Sequence, residues 1–234
     1  GNPPGAPLLE LTLTGPVLTA LTDLVLGFAG YGMLPLVGNE PLPPGRSFLL
    51  RRGQTLRFKP LKEGVRGYLA VAGGIEARRF LGSASPDLRG LIGRPLRAGD
   101  VLGVENPRPV RPGYALSQPP LPPFRIRLLK GPQASLEALR ALASAPFTLV
   151  QGDRVGLRLL GPPVPGGEGV SEATPLGGVQ VPPRGEPIVL MNDKGSLGGY
   201  AKPALVHPQD LWLLAQVRVG EEVRFVLDRS ERGV

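Results

Sequence analysis

The chain has 234 residues, 41% of them hydrophobic, no cysteine and a single histidine, His207, which excludes disulfides, thiolate metal sites and multi-histidine metal sites. The formal net charge of +8 does not predict a nucleic-acid partner, because the arginines are scattered and the aromatic residues that could stack on bases make up only 5% of the chain. No apolar run approaches the roughly 20 residues of a membrane helix and no signal peptide opens the chain, so we expect a cytoplasmic protein without a membrane partner.

Short β-type segments separated by glycine and proline dominate the first half of the chain. Residues 8–14 and 55–59 alternate between apolar and polar side chains, and residues 67–72 form a continuous apolar run that is typical of a strand buried on both faces. Residues 105–124 contain seven prolines, a composition that favours an extended connector. We therefore expect two domains, at residues 1–118 and 119–234.

Two helices are predicted in the second half. Ser135 is a good N-cap for a helix over residues 136–145, and Pro146 ends it. Pro208 fits the first turn of a second helix that runs to about residue 216, and His207 is expected to close that helix end or to face solvent. The remaining segments predict short strands, so the fold class is all-β with a few short helices.

A short pattern occurs three times, around Gly53, Gly99 and Gly220. In each copy a basic residue precedes a glycine turn, and a polar residue and an apolar segment follow it. Because copies fall in both halves of the chain, the pattern indicates an internal duplication.

Three blocks of sequence, taken in order, resemble those of one known family. The first block comprises residues 68–75 (YLAVAGGI), 81–85 (LGSAS), 87–90 (DLRG) and 93–100; the second comprises residues 131–133 (GPQ), 153–159 (DRVGLRL) and 161–162; the third comprises residues 178–183 (GVQVPP), 187–190 (PIVL), Asp193, residues 198–200 (GGY) and Lys202. With this order and spacing, the chain resembles the carboxyltransferase-like family that contains the C component of bacterial 5-oxoprolinase, the second component of allophanate hydrolase and the antagonist of a sporulation-kinase inhibitor. The resemblance implies two cyclophilin-like β-barrel lobes.

The resemblance also implies a function and partners. The leading hypothesis is a component or domain of a multi-component, ATP-dependent 5-oxoprolinase that opens 5-oxoproline to glutamate, with ATP bound by the complex. Its partners would be an A-type hydrolase component and a B-type component that resembles the first component of allophanate hydrolase or the kinase inhibitor, as a separate chain or fused in one polypeptide. One alternative is a biotin-dependent carboxyltransferase acting on urea or a related amide, in which biotin would be the cofactor. The other is a regulatory protein that antagonises an inhibitor of a sensor histidine kinase.

The chain departs from the family pattern in two places. Relatives begin with a threonine-rich segment that contains Val-Gln-Asp, and its absence leads us to expect a missing upstream segment. Leu197 stands where relatives often carry a threonine. The loss of that hydroxyl favours the regulatory alternative.

The most informative stretch for a site is residues 191–202, which follow the apolar strand at residues 187–190. Its glycines would let backbone donors approach a ligand, and Lys194 and Lys202 could hold a carboxylate or a phosphate. Asp193 could orient a lysine or act as a base. We expect Asp193 and Lys202 to be catalytic; a hairpin loop with solvated charges is the structural alternative.

Further substrate-binding residues are predicted around this stretch. Gln180 lies between two valines and could line a cleft. The pair Gly198-Gly199 would form part of the loop and redirect Tyr200 and Lys202, so Gly199 and Tyr200 are candidates as well. If residues 187–202 form a strand-loop-strand hairpin, Gln180, Asp193, Tyr200 and Lys202 converge on one concave surface of the second lobe.

Two arginines complete the predicted set. Arg154 suits bidentate recognition of a carboxylate, although an ion pair with Asp153 or Glu172 explains it equally well. Arg89 is a candidate for a cleft in the first lobe.

Overall fold

The computed structural model describes residues 2–88, 90–107, 109 and 111–228, and the chain forms two compact units, Gly1–Pro120 and Leu121–Val234. Strands make up 40% and helices 7% of the structure, which confirms the predicted all-β fold. No helix in the described ranges is long and apolar enough to cross a membrane. Arg89, one of the predicted site residues, lies outside the described residues.

The first unit consists, in its described residues, of two antiparallel four-stranded sheets with the strand orders β1-β8-β3-β6 and β2-β7-β4-β5. The strands are β1 (Leu9–Thr12), β2 (Leu18–Thr19), β3 (Leu24–Gly30), β4 (Met33–Val37), β5 (Glu40–Pro41), β6 (Arg46–Leu50), β7 (Thr55–Pro60) and β8 (Arg66–Val71). The predicted alternation places Leu56 and Phe58 of β7 in the core, where the rings of Phe58 and Phe28 lie 5.5 Å apart. Both sheets therefore contribute to one hydrophobic core.

The second unit is built around a closed barrel of seven strands in the order β15-β13-β14-β11-β10-β16-β9, in which β9 pairs back to β15. Its elements are β9 (Arg125–Lys130), α1 (Leu136–Ser144), β10 (Phe147–Gly152), β11 (Gly156–Leu160), β12 (Glu168–Ala173), β13 (Gly178–Val181), β14 (Ile188–Leu190), β15 (Leu197–Val206), a 3-10 turn (Pro208–Asp210), α2 (Leu211–Leu214) and β16 (Glu222–Leu227). Among the described strands, β12 pairs with β15 alone, so it lies outside the barrel as an edge strand.

The first predicted helix is confirmed and the second is shorter than predicted. Ser135 Oγ accepts a hydrogen bond from the N–H of Ala138 at 3.1 Å, and the helix buries Leu139 and Leu142. The second segment forms only the 3-10 turn and the four residues of α2. His207 closes its start, because its Nδ1 accepts a hydrogen bond from the N–H of Gln209 at 3.3 Å.

The three glycine turns share one hydrogen-bonding device. In each, the backbone N–H of an arginine donates to the side chain three residues later, and the glycine has a positive φ, as the turn requires. The bonds are Arg51 to Gln54 Oε1 at 2.8 Å, Arg97 to Asp100 Oδ2 at 2.8 Å and Arg218 to Glu221 Oε2 at 2.7 Å. Strands follow the first and third turns, but none follows Gly99 in the described residues, so the pattern predicts the turn better than the strand.

Candidate functional site

The predicted hairpin over residues 187–202 is wrong. Strand β13 lies between β14 and β15 and pairs with both, so the loop at residues 191–196 connects two strands that are not neighbours. Gln180, on β13, stands opposite Ile188 of β14. The site is therefore built around β13 and not on two arms of one hairpin.

A β-bulge brings Gln180 and Lys202 to adjacent positions. Val179 pairs with Ala204 and Val181 with Ala201, so the single residue Gln180 stands opposite two residues of β15. A bulge of this kind bends a strand and re-aims its side chains. It also marks the point where β15 changes partners: residues 197–200 pair with β12, and residues 201–206 pair with strands of the barrel.

Lys202 is buried and its charge is paired. Its side chain is 1% exposed, and Nζ contacts Glu172 Oε1 at 2.9 Å and donates to the carbonyl oxygen of Tyr200 at 3.1 Å. The side chain of Glu172, by contrast, is 43% exposed. The carboxylate of Glu172 therefore covers the ammonium of Lys202 on its solvent side.

Gln133 completes this cluster, and sequence reasoning missed it. Its Nε2 donates to Glu172 Oε1 at 2.6 Å, and its Oε1 accepts the backbone N–H of Lys202 at 2.9 Å. The hydrogen bonds from Lys202 and then from Gln133 lower the pKa of the Glu172 carboxyl below its ordinary value, against the opposing effect of desolvation. The only sequence signal for Gln133 was its place in the Gly-Pro-Gln motif.

Gly198 and Gly199 belong to β15 and not to a loop that redirects the chain. A Cβ atom on Gly198 would lie 2.5 Å from Nε2 of Gln180 and 3.0 Å from Cγ2 of Thr174, and one on Gly199 would lie 3.1 Å from the carbonyl oxygen of Gly169. A side chain at 198 would displace the Gln180 amide, and one at 199 would press on the backbone of β12.

The amide of Gln180 is the unusual group in this region. The residue is only 7% exposed, yet its amide makes no hydrogen bond within the described part of the chain. Every fully buried polar side-chain atom of the described residues has a partner, so the Gln180 amide must keep contact with solvent. It is a nearly buried donor and acceptor pair that is open to a ligand.

The other predicted residues lie around this cluster in different ways. Tyr200 is 37% exposed, and its carbonyl oxygen accepts a hydrogen bond from Lys202 Nζ. Lys194 is half-buried in the loop, where its backbone N–H donates to Met191. Leu197 is 68% exposed.

Asp193 pairs with Arg154 and not with a lysine. Arg154 Nε and Nη2 donate to the two oxygens of Asp193 at 2.7 and 3.0 Å, and both side chains are more than one-third exposed. Asp153 accepts the backbone N–H groups of Val155 and Gly156, and Glu172 pairs with Lys202. The predicted residues thus form two separate groups, around Lys202 and around Arg154.

Comparison with known proteins agrees with the resemblance seen in the sequence. The sequence model of one protein family, the carboxyltransferase domain, subdomain A and B, matches residues 1–227. The chain is 36% identical to the C component of 5-oxoprolinase from Escherichia coli K12, over 97% of this chain and 76% of that protein, and 29% identical to urea amidolyase of Lachancea kluyveri, over 97% of this chain and 14% of that protein.

One solved structure is more similar in sequence to this chain than these two proteins are. The crystal structure of TTHA0988 is 69% identical and superimposes with a TM-score of 0.94, over 97% of this chain but only 46% of that chain. The chain therefore spans less than half of the length of that protein. On the match of the family model and the identity to the bacterial 5-oxoprolinase component, the chain belongs to the family of carboxyltransferase domains with subdomains A and B.

Proposed function

We propose that this chain is the C-type component of a multi-component, ATP-dependent 5-oxoprolinase. The proposal is supported by the 36% identity to the C component of the Escherichia coli enzyme over 97% of the chain. In this reaction water opens the ring amide of 5-oxoproline to give glutamate, while ATP is converted to ADP and phosphate. We assign ATP to the assembled complex, with an A-type hydrolase component and a B-type component as partners.

The observation that carries the proposal is the position of Gln180 beside Lys202. 5-Oxoproline presents a carboxylate and a ring amide whose N–H and C=O lie on the same side. An ammonium suits the carboxylate, and a carboxamide can donate to the C=O and accept from the N–H of a cis amide. Lys202 supplies the ammonium and Gln180 supplies an amide without a partner among the described residues. Tyr200 and Gly199 lie on the same strand and would flank the ligand.

Carboxyl transfer from carboxybiotin to urea is the second candidate, favoured by the 29% identity to urea amidolyase. In that reaction the bond between the biotin nitrogen and the carboxyl carbon breaks and a new bond to a urea nitrogen forms. Lys202 would then face the transferred carboxyl group, and Gln180 would face the urea amide.

Reconstitution distinguishes the two candidates. The full polypeptide that carries this chain is combined with its A- and B-type partners, and release of glutamate from 5-oxoproline is followed with and without ATP. We expect ATP-dependent glutamate release that disappears when the polypeptide is omitted. Equal release of glutamate without the polypeptide would reject the proposal. Transfer of the carboxyl group from carboxybiotin to urea, in place of glutamate release, would favour the second candidate.

A further inference from the structure

Lys202 cannot reach a ligand in the arrangement that the structure shows. Its side chain is 1% exposed, and its ammonium is in contact with Glu172 and with the carbonyl oxygen of Tyr200. Glu172 and the carbonyl oxygen of Tyr200 take two of the three N–H groups of the ammonium, and the burial of the side chain leaves the third without an open approach from solvent. For Lys202 to bind a carboxylate, the carboxylate of Glu172 must leave.

We propose that Glu172 is an internal substitute for the ligand's carboxylate, and that the edge strand β12, which carries it, releases Lys202 when a carboxylate ligand binds. The assignment of 5-oxoproline as that ligand rests on the proposed function. The substitution itself rests on the geometry of Lys202, Glu172 and Gln133.

Two donors, Lys202 Nζ and Gln133 Nε2, hold the Glu172 carboxylate, and we call this pair the cradle. Neither donor depends on Glu172 for its position. Oε1 is contacted by Lys202 Nζ at 2.9 Å and receives a hydrogen bond from Gln133 Nε2 at 2.6 Å. Gln133 is itself held by the backbone N–H of Lys202, which donates to its Oε1 at 2.9 Å. If Glu172 withdraws, both donors remain aimed at one position, and Gln180 lies on the strand next to that of Lys202.

Glu172 is held less firmly than the donors that bind it. In the described part of the chain, its hydrogen bonds and its ion pair all go to Oε1, and the side chain is 43% exposed. Its pKa is lowered by Lys202 and Gln133, so at neutral pH it occupies the cradle as an anion. When a ligand carboxylate binds, it replaces the carboxylate of Glu172 at Lys202, so the buried ammonium is never left unpaired.

Strand β12 has the features of a segment that can move. Within the part of the chain that the structure describes it pairs with β15 alone. Its register shifts between the Glu168–Tyr200 and Glu172–Gly198 pairs, so residues 169–171 bulge. Its side chains are mostly exposed, with Val170 at 89%. Few buried apolar contacts and an irregular ladder are typical of segments that open at low free-energy cost.

Glu172→Gln (E172Q) tests the proposal, because glutamine keeps the acceptor oxygen and the size of the side chain but removes the competing charge. Glu168→Gln (E168Q) is the matched control: Glu168 lies on the same strand, is exposed and makes no side-chain hydrogen bond or ion pair within the described ranges. Binding of 5-oxoproline and of its neutral amide, 5-oxoprolinamide, is measured by calorimetry on the assembled complex.

We expect E172Q to bind 5-oxoproline about tenfold more tightly than the wild type, which is within the usual range for coupling between two sites. Its affinity for the neutral amide should stay within about twofold of the wild-type value. E168Q should bind both compounds like the wild type. Glu172→Asp, which withdraws the carboxylate by one methylene but keeps the charge of the strand, should also raise the affinity. If the wild type binds 5-oxoproline, unchanged or weaker binding by folded E172Q and E172D would overturn the proposal.

A second readout separates this proposal from the proposed function. Reductive methylation of Lys202, followed by mass spectrometry, should be slow in the wild type and in E168Q and several-fold faster in E172Q, and acetate should slow it again. If no variant binds 5-oxoproline but methylation follows this pattern, the proposed substrate is wrong and the role of Glu172 stands. Methylation of Lys202 at equal rates in the wild type and E172Q would reject the role of Glu172.

Discussion

Two ion pairs of the second unit have nearly the same length and very different surroundings. The N–O distance is 2.9 Å for Lys202–Glu172 and 2.7 Å for Arg154–Asp193. The Lys202 side chain is 1% exposed, whereas that of Arg154 is 37% exposed. The two pairs therefore differ little in the distance between their charges and strongly in the exposure of the cation to water.

This difference has a physical consequence. When an exposed pair is broken, water takes the place of the missing partner, so the change in stability is small. A buried ammonium without its carboxylate has no such replacement unless the covering segment opens or another anion enters. A bound carboxylate should therefore stabilise Lys202 more than it would stabilise Arg154.

The largest difference is expected when one partner of each pair is removed. Lys202→Ala removes a buried side chain and leaves Glu172 without its cation, and should lower the free energy of unfolding by about 2–4 kcal/mol. Asp193→Asn, in the exposed pair, should change it by less than about 1 kcal/mol. Urea denaturation with both variants measures the difference, and equal losses would show that burial does not separate the pairs.

A smaller effect is expected from filling the space that the Gln180 amide occupies. Gly198→Ala places a methyl group 2.5 Å from Nε2 of Gln180, and should lower the free energy of unfolding by about 1–3 kcal/mol, the usual effect of overpacking. Gly195→Ala is the control, because its nearest neighbour, the carbonyl oxygen of Leu197, is 3.4 Å away. That variant should stay within about 0.5 kcal/mol of the wild type. Similar effects of the two substitutions would contradict the role of Gly198.

The smallest effect is the pH dependence of the buried pair. The pKa of Glu172 is lowered in the folded protein from its ordinary value of 4.5, so the carboxylate stabilises the fold above about pH 4.5 and this stabilisation is lost as the pH falls through the lowered pKa. Glutamine cannot titrate. Between pH 7 and pH 3 the denaturation midpoint of the wild type should therefore fall more than that of E172Q. Parallel curves would mean that the pair does not contribute to acid sensitivity.

Local features of the fold were predictable from the sequence, and the pairing of strands was not. Alternation in β7, the N-cap Ser135 and the glycine turns are set by residues close in sequence, and the structure confirms them. The position of β13 between β14 and β15 depends on non-local hydrogen bonds. The hairpin hypothesis failed for that reason.

The partners of the site residues show the same limit. Glu172 lies 30 residues before Lys202, and Gln133 lies 69 residues before it, so neither spacing points to the cluster. The Gly-Gly pair suggests a loop because glycine usually marks turns, whereas both residues lie in a strand, where a Cβ would press on the Gln180 amide or on β12. Lys202 itself was predicted from the family motif, but its burial was not.

Titration of the assembled complex with 5-oxoproline tests the assignment of Lys202 most directly. Lys202→Met keeps the apolar stem and removes the ammonium, and Lys62→Met, an exposed lysine of the first unit, serves as the control. If Lys202 holds the ligand's carboxylate, K202M binds 5-oxoproline at least about tenfold more weakly, the loss expected for one charged hydrogen bond, and K62M binds it like the wild type. Equal affinities of K202M and the wild type would contradict the assignment.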